Sequence, residues 1–189
     1  MTNRWGITIP FEGLSLLEQK AIVERMPDLG YTDAWSAEAN ATDAFTPLAL
    51  ASQWAPELRL GTAIVPAYTR GPATLAMSAA TMAAAAPGRF ALGVGTSSNV
   101  IVERWNSIPF EEPYKRVRDT VRFLRTALTG EKVKAEYDTF TVQGFTLGAP
   151  PAQPPPILVA ALRQACSAWP DVRATGRSST GSPPTTWAR

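Results

Sequence analysis

Histidine is absent from the 189 residues, and cysteine occurs once. Without imidazole the chain holds no Ser-His-Asp or Cys-His hydrolytic site, no His-ligated zinc and no histidine acid or base. One thiol closes no internal disulfide, which fits a reducing compartment. Long apolar runs are missing too. None approaches the ~20 residues needed to cross a bilayer, and no charged leader with an apolar core opens the sequence. A cytoplasmic location without a membrane partner is expected. Charge is nearly balanced, 18 Lys and Arg against 16 Asp and Glu for a net +2, and this does not single out a nucleic-acid binder. Several of the basic residues behind the pI of 8.9 sit in an atypical C-terminal stretch (Arg163, Arg173, Arg177 and Arg189), so the pI points to no partner.

What is present is an apolar content of 45%, enough for one domain with a real core. Strand and helix patterns alternate along it. Trp5 to Pro10 reads as a short strand. Ser15-Leu-Leu-Glu18 has the form of a capping box opening a helix lined by Leu17, Ala21 and Val23 to Met26, with a stop at Asp28-Leu-Gly30. Tyr31 to Glu38 is a second strand. Thr46-Pro47 reads as a cap with proline at the first helical position, before a helix over Leu48 to Trp54. Arg59 to Val65 is a third strand, Gly71-Pro72 starts an alanine-rich helix through Ala86, and Phe90 to Val94 is a fourth strand. Tyr114 to Leu128 is helical, apolar at Val117, Val121, Leu124 and Leu128, and Gly130 stops it. Val133 to Tyr137 and Phe140 to Val142 flank Asp138-Thr139 as an antiparallel hairpin. A proline-rich connector, Pro150 to Pro156, then feeds a fifth strand, Ile157 to Ala161.

Serial strand-helix units with short apolar strands mean a parallel sheet buried on both faces. Two architectures accept the series, a (β/α)8 barrel and an open doubly wound sheet. After Leu162 the periodicity ends. The segment 163–189 reads either as a weakly basic disordered tail or as a frame-shifted end, because its codons read one base later give a helix, a loop and an apolar strand. The second reading divides the chain into 1–162, the N-terminal part of something longer, and an aberrant 163–189.

Individual motifs carry unequal weight. Gly93-Val-Gly95-Thr-Ser-Ser98 follows a strand, but it lies after the fourth strand and does not run directly into a helix, unlike a dinucleotide loop. It reads either as a plain strand-end turn or as a loop receiving phosphate or ring oxygens. Trp105 is expected to pack on the rim of the fold more than to stack on substrate. Arg104, Lys115, Arg116 and Arg118 are expected to form a solvated helix face, with phosphate capture as the alternative.

Taken in order, Leu60-Gly-Thr-Ala-Ile-Val-Pro66 with Arg70 and Pro72, Arg89 to Thr96, Tyr114 to Arg125, the Val133 to Phe145 hairpin and Pro154 to Ala160 make the chain resemble the bacterial-luciferase-like flavin and deazaflavin oxidoreductases. The resemblance spans essentially residues 1–162. It implies a (β/α)8 TIM barrel of which about five strands are present. It also implies hydride transfer between coenzyme F420 and a small organic substrate. The alternatives are an FMN-dependent monooxygenase and a truncated, non-catalytic fragment that acts as a structural partner. By the same resemblance the Ala63-Ile64 peptide is cis and presses on the coenzyme ring together with Val65, while Gly95, Thr96, Ser97 and Ser98 line its polar side. Glu38 faces the pocket mouth as the one candidate for a catalytic role, against the alternative of a solvated carboxylate. The family's frequent active-site histidines have no counterpart here, and no metal is implied. Five strands leave two open sheet edges, so the chain alone is expected to bind coenzyme poorly and to self-associate or aggregate.

Overall fold

The computed structural model describes residues 4–160. The expectations for Ala161, Leu162 and the 163–189 tail fall outside those residues. In chain order the elements are β1 (Gly6–Thr8), α1 (Lys20–Arg25), β2 (Asp33–Ser36), α2 (Phe45–Trp54), β3 (Arg59–Thr62), β4 (Val65–Pro66), α3 (Pro72–Ala85) and β5 (Phe90–Gly95). A π-helical segment (Val100–Trp105), α4 (Pro113–Ala127), β6 (Val133–Glu136), β7 (Thr141–Phe145) and β8 (Ile157–Val159) follow.

β1, β2, β3, β5 and β8 pair in sequential order, every pair parallel, and β4 continues the β3 side of β5. Among the described residues no strand-order reversal occurs, which is the barrel arrangement rather than the doubly wound one. The antiparallel β6–β7 hairpin stands apart as a separate sheet, as its sequence pattern predicts.

In a parallel ladder, residues in register point to one face. Ala34, Leu60 and Phe90 share a register row and are at most 3% exposed. They join α2 and α3 side chains such as Leu48, Ala51, Leu75 and Ala79 in the core. Phe45 of α2 meets Phe90 at 6.4 Å between centroids. On the opposite face, Trp35 lies over Gly6 and Gly61, where an added Cβ would run into its indole. Asp119 on α4 is fully buried, yet satisfied by Arg118 at 2.8 and 2.9 Å and by the Thr139 N–H and hydroxyl at 3.1 Å each. Those bonds, with Phe123 edge-on to Phe140 at 6.3 Å, dock the hairpin on α4.

The third strand is the irregular one. Expected as continuous from Arg59 to Val65, it stops at Thr62, and its partner β5 is regained only at Val65↔Val94. Across the gap the Thr62 hydroxyl accepts the Gly93 N–H at 2.7 Å and donates to the Gly93 carbonyl at 2.8 Å. Both bonds are buried, and a Cβ on Gly93 would overlap the Thr62 carbonyl.

Two helix starts differ from expectation. Glu18 accepts the Ser15 N–H at 2.8 Å, but this closes a turn ahead of α1, which begins at Lys20. The buried face there is Gln19, Val23 and Met26, while Leu17 and Ala21 are exposed. α2 begins at Phe45 because Asp43 caps it, accepting the Phe45 and Thr46 N–H groups at 2.8 and 2.9 Å. A carboxylate is favoured at that end by both the free donors and the helix dipole. Thr46 and Pro47 consequently lie inside the first turn.

Replacing Thr62 by Val keeps the shape and removes both bonds, leaving a buried N–H and C=O unpaired. The expected loss is about 2 kcal/mol of unfolding free energy in urea titration, with Thr62→Ser near wild type. Equal stability of the Val and Ser variants would contradict this role for the hydroxyl.

Candidate functional site

The C-terminal ends of β2, β3 and β5 lie together. Glu38 follows β2, and its N–H donates to the Ile64 carbonyl at 3.1 Å, while the Ala63 N–H donates to the Ser36 carbonyl at 2.7 Å. The Ala63–Ile64 peptide between β3 and β4 is cis, in agreement with the resemblance. Ala63 is exposed and Ile64 half-buried. Beyond the gap, the Ala67 N–H donates to the Gly95 carbonyl at 2.9 Å and the Ala160 N–H to the Val94 carbonyl at 3.0 Å. A Cβ built on Gly95 would stand 3.1 Å from Ile64 Cγ1 and 3.3 Å from the Ala160 Cβ. Ile64 therefore lies against bare backbone at the end of β5. Glu38, Ala63, Ile64 and Gly95 are thus brought together, and Thr96, Ser97 and Ser98 continue outward from Gly95 with increasing exposure. Ser97 takes a positive φ of 62°, and the Ser98 hydroxyl accepts the Ile101 N–H at 3.4 Å. Val65 is different. It is fully buried and belongs to the hydrophobic core.

The loop after β5 does enter a helical segment, the six-residue π-helix, which the sequence pattern did not disclose. Short π-helical insertions are uncommon and recur at functional sites. Trp105 at its end is 54% exposed.

Glu38 is a partnered carboxylate. Its Oε2 accepts Arg70 Nε and Nη2 at 3.1 and 3.0 Å and the Ala44 N–H at 3.5 Å. Arg70 also stands 3.8 Å from Asp43 and over the Phe45 ring at 4.9 Å. This tie between the β2 end and the segment leading into α3 was not visible in sequence, since residues 32 apart carry no periodic signal. Burial alone would raise the Asp43 carboxyl, but hydrogen bonds from Thr46 and Phe45 and the Arg70 charge outweigh it and hold the pKa below the ordinary value.

The basic residues beyond Pro113 are not a uniform solvated face. Lys115 is, pairing with Glu112 at 3.0 Å on the surface. Arg116 instead lies between the Tyr68 and Phe140 rings, at 5.5 and 5.0 Å from their centroids. It donates from Nε to the Ala67 carbonyl at 3.1 Å and from Nη1 to the Thr139 carbonyl at 3.2 Å. Arg118 pairs with Asp119 and Asp138. A guanidinium has planar donors and a weakly hydrated face, so it can be buried where an ammonium would not be. Tyr68 is 6% exposed, packs on Phe110 at 5.2 Å and donates its hydroxyl to the Glu111 carbonyl.

Among the described residues no cluster of His, Cys, Asp and Glu could hold a metal ion, and no helix is long and apolar enough to cross a membrane. The luciferase-like monooxygenase profile matches residues 5–168. The chain belongs to the luciferase-like monooxygenase family. This luciferase-like chain is 35% identical over 104 residues to a putative coenzyme F420-dependent oxidoreductase of Mycobacterium tuberculosis, covering 55% of this chain and 30% of the relative. It is 33% identical over 120 residues to an F420-dependent glucose-6-phosphate dehydrogenase of Intrasporangium calvum, covering 60% and 36%. In structure it matches the coenzyme F420-dependent tetrahydromethanopterin reductase of Methanopyrus kandleri with a TM-score of 0.73 at 21% identity, covering 84% of this chain and 50% of that one. An FMN complex of the oxygenating constituent of 3,6-diketocamphane monooxygenase from Pseudomonas putida gives 0.69 at 15%, covering 85% and 52%. The luciferase-like TIM-barrel fold is thereby shown. The chain spans about a third of the length of these curated relatives and about half of the solved chains.

Burial pushes the Tyr68 phenol up from 10.0 to about 12, with the Arg116 charge opposing it. Because the folded pKa is the higher one, the phenol's contribution to stability is complete below pH 10 and disappears as the pH rises through about 12. Near-ultraviolet titration is expected to show a late tyrosinate step near that pH which Tyr68→Phe removes. A Tyr68→Phe profile identical to wild type would contradict the burial of the hydroxyl.

Proposed function

We propose that this chain is the coenzyme-binding part of a luciferase-like oxidoreductase that takes coenzyme F420 and passes a hydride between it and a small organic substrate. The observation that carries the reading is the meeting of Ile64 with the bare backbone of Gly95 at the strand ends. A Cβ at Gly95 would stand 3.1 Å from the Ile64 side chain. With an aliphatic side chain beside it and the Thr96, Ser97 and Ser98 hydroxyls leading outward, that floor fits a flat ring with one polar edge. The F420-dependent relatives support the deazaflavin over FMN, and FMN in the Pseudomonas putida structure supports FMN as the second coenzyme to test.

In this reading a bound deazaflavin supplies the hydride chemistry. The chain's own residues bind and orient. Ile64 and Gly95 offer the surface the ring rests on, and the hydroxyls of Thr96 to Ser98 receive its polar edge. Arg70 holds the Glu38 carboxylate at the mouth, which suits Glu38 to shaping the wall. The acid or base that a substrate would need is not assigned among the described residues. β1 and β8 each pair on one side only among those residues, which supports self-association of the chain and weak coenzyme binding by it alone. A cytoplasmic setting accords with this coenzyme chemistry.

Titrating the chain with F420 and separately with FMN, and following coenzyme fluorescence, tests the reading. Weak but saturable binding is expected, tighter for F420, and Gly95→Val should abolish it by placing a side chain against Ile64. Tighter binding of FMN would overturn the choice of coenzyme. No saturable signal with either coenzyme would overturn the assignment of the site.

A further inference from the structure

The β6–β7 hairpin lies outside the sheet, yet one side chain joins it to the strand ends. Arg116, in the first turns of α4, sends two donors in divergent directions: Nε to the Ala67 carbonyl at 3.1 Å and Nη1 to the Thr139 carbonyl at 3.2 Å. Ala67 in turn donates its N–H to the Gly95 carbonyl at 2.9 Å. The aromatic faces of Tyr68 and Phe140 close on the same guanidinium from the two segments it bridges. Tyr68 then carries the tie onward to the Glu111 carbonyl and the Phe110 ring, in the segment between the π-helix and α4. Three residues past Ala67, Arg70 reaches Glu38.

We infer that Arg116 is a positioning residue that couples the hairpin to the candidate coenzyme site. It fixes the 65–70 segment, and through Ala67 the Gly95 end of β5, against the hairpin turn. The relevance to coenzyme rests on the function proposed above, whereas the coupling itself rests only on these contacts. Lysine cannot replace arginine here. A single ammonium on a flexible stem does not present two separated donors in one plane, nor a flat face to two rings. Arg118 supplies the control. It holds the same hairpin through Asp138 and Asp119 at 2.7 and 2.8 Å, and among the described residues its hydrogen bonds go to those two carboxylates rather than to 65–70.

Backbone hydrogen exchange, read peptide by peptide on the whole chain, tests the coupling without coenzyme. In Arg116→Lys and Arg116→Ala, exchange over 65–70 and 94–98 is expected to accelerate about tenfold, the scale of one lost hydrogen bond to a charged group. In Arg118→Ala the acceleration should be confined to 137–140. The inference is overturned if Arg116→Lys leaves 65–70 as protected as wild type, or if Arg118→Ala exposes 65–70 as much as the Arg116 variants do. Should Arg116→Ala fail to fold, Arg116→Lys decides alone. A parallel F420 titration separates the two claims. About tenfold weaker binding in Arg116→Lys, with Arg118→Ala unchanged, extends the coupling to coenzyme. A wild-type chain that binds neither F420 nor FMN removes the functional reading and leaves the exchange result to stand or fall by itself.

Discussion

The structure turns on a single hydroxyl. Where β3 leaves its partner β5, two ladder positions are lost, and Thr62 substitutes a side chain for the missing backbone by both accepting from and donating to Gly93. The substitution works because Gly93 has no Cβ to collide with the Thr62 carbonyl. Buried amide groups left unpaired there would each be costly. With the seam satisfied, the chain can step out of the sheet at Ala63 and Ile64 and return at Val65, and that excursion sets Ile64 against Gly95. The candidate site is thus a product of how an interrupted strand keeps its neighbour.

Polar groups at the strand ends follow one rule. Three charges near the C-terminal strand ends and on α4 each find a geometric partner: Asp119 with Arg118 and Thr139, Glu38 with Arg70, Arg116 with two carbonyls and two rings. Two of these arginines join segments distant in sequence across the rim of the sheet. Charges placed this way contribute little net free energy, since desolvation offsets attraction. Their geometry nevertheless restricts where loops can lie, and at a rim built mostly of loops that restriction matters more than the energy.

Element order and strand direction were legible in the sequence because they depend on local signals. Gly88 and Gly130 take positive φ just past α3 and α4, Pro72 and Pro113 stand at helix starts, and the spacing of Val117, Val121, Leu124 and Leu128 marks the buried face of α4. By contrast α1 ends at Arg25, ahead of the expected stop at Asp28-Leu-Gly30. The Asp43 cap was displaced by a nearby Thr-Pro pair that satisfies the same statistical pattern, and only the observed bonds distinguish them. The roles of Arg116 and Arg70 depend on partners 23 to 49 residues away, beyond any periodicity. Of the candidate site, Ala63 and Ile64 were identifiable only through family resemblance, since nothing local in Thr-Ala-Ile-Val marks a break in a strand. The π-helical segment had no signal at all, because its composition is that of an ordinary amphipathic turn.

On the inner face of the sheet, the indole of Trp35 occupies the space that Cβ atoms on Gly6 and Gly61 would need. One large side chain and two absent ones are therefore a single packing unit spread over three strands. None of the three can drift by itself: a side chain at 6 or 61 is barred while tryptophan stands at 35, and a small residue at 35 opens a hole that only growth at 6 and 61 could fill. In a lineage of such chains these positions should covary as a trio, exchanging bulk among themselves while their summed volume stays constant.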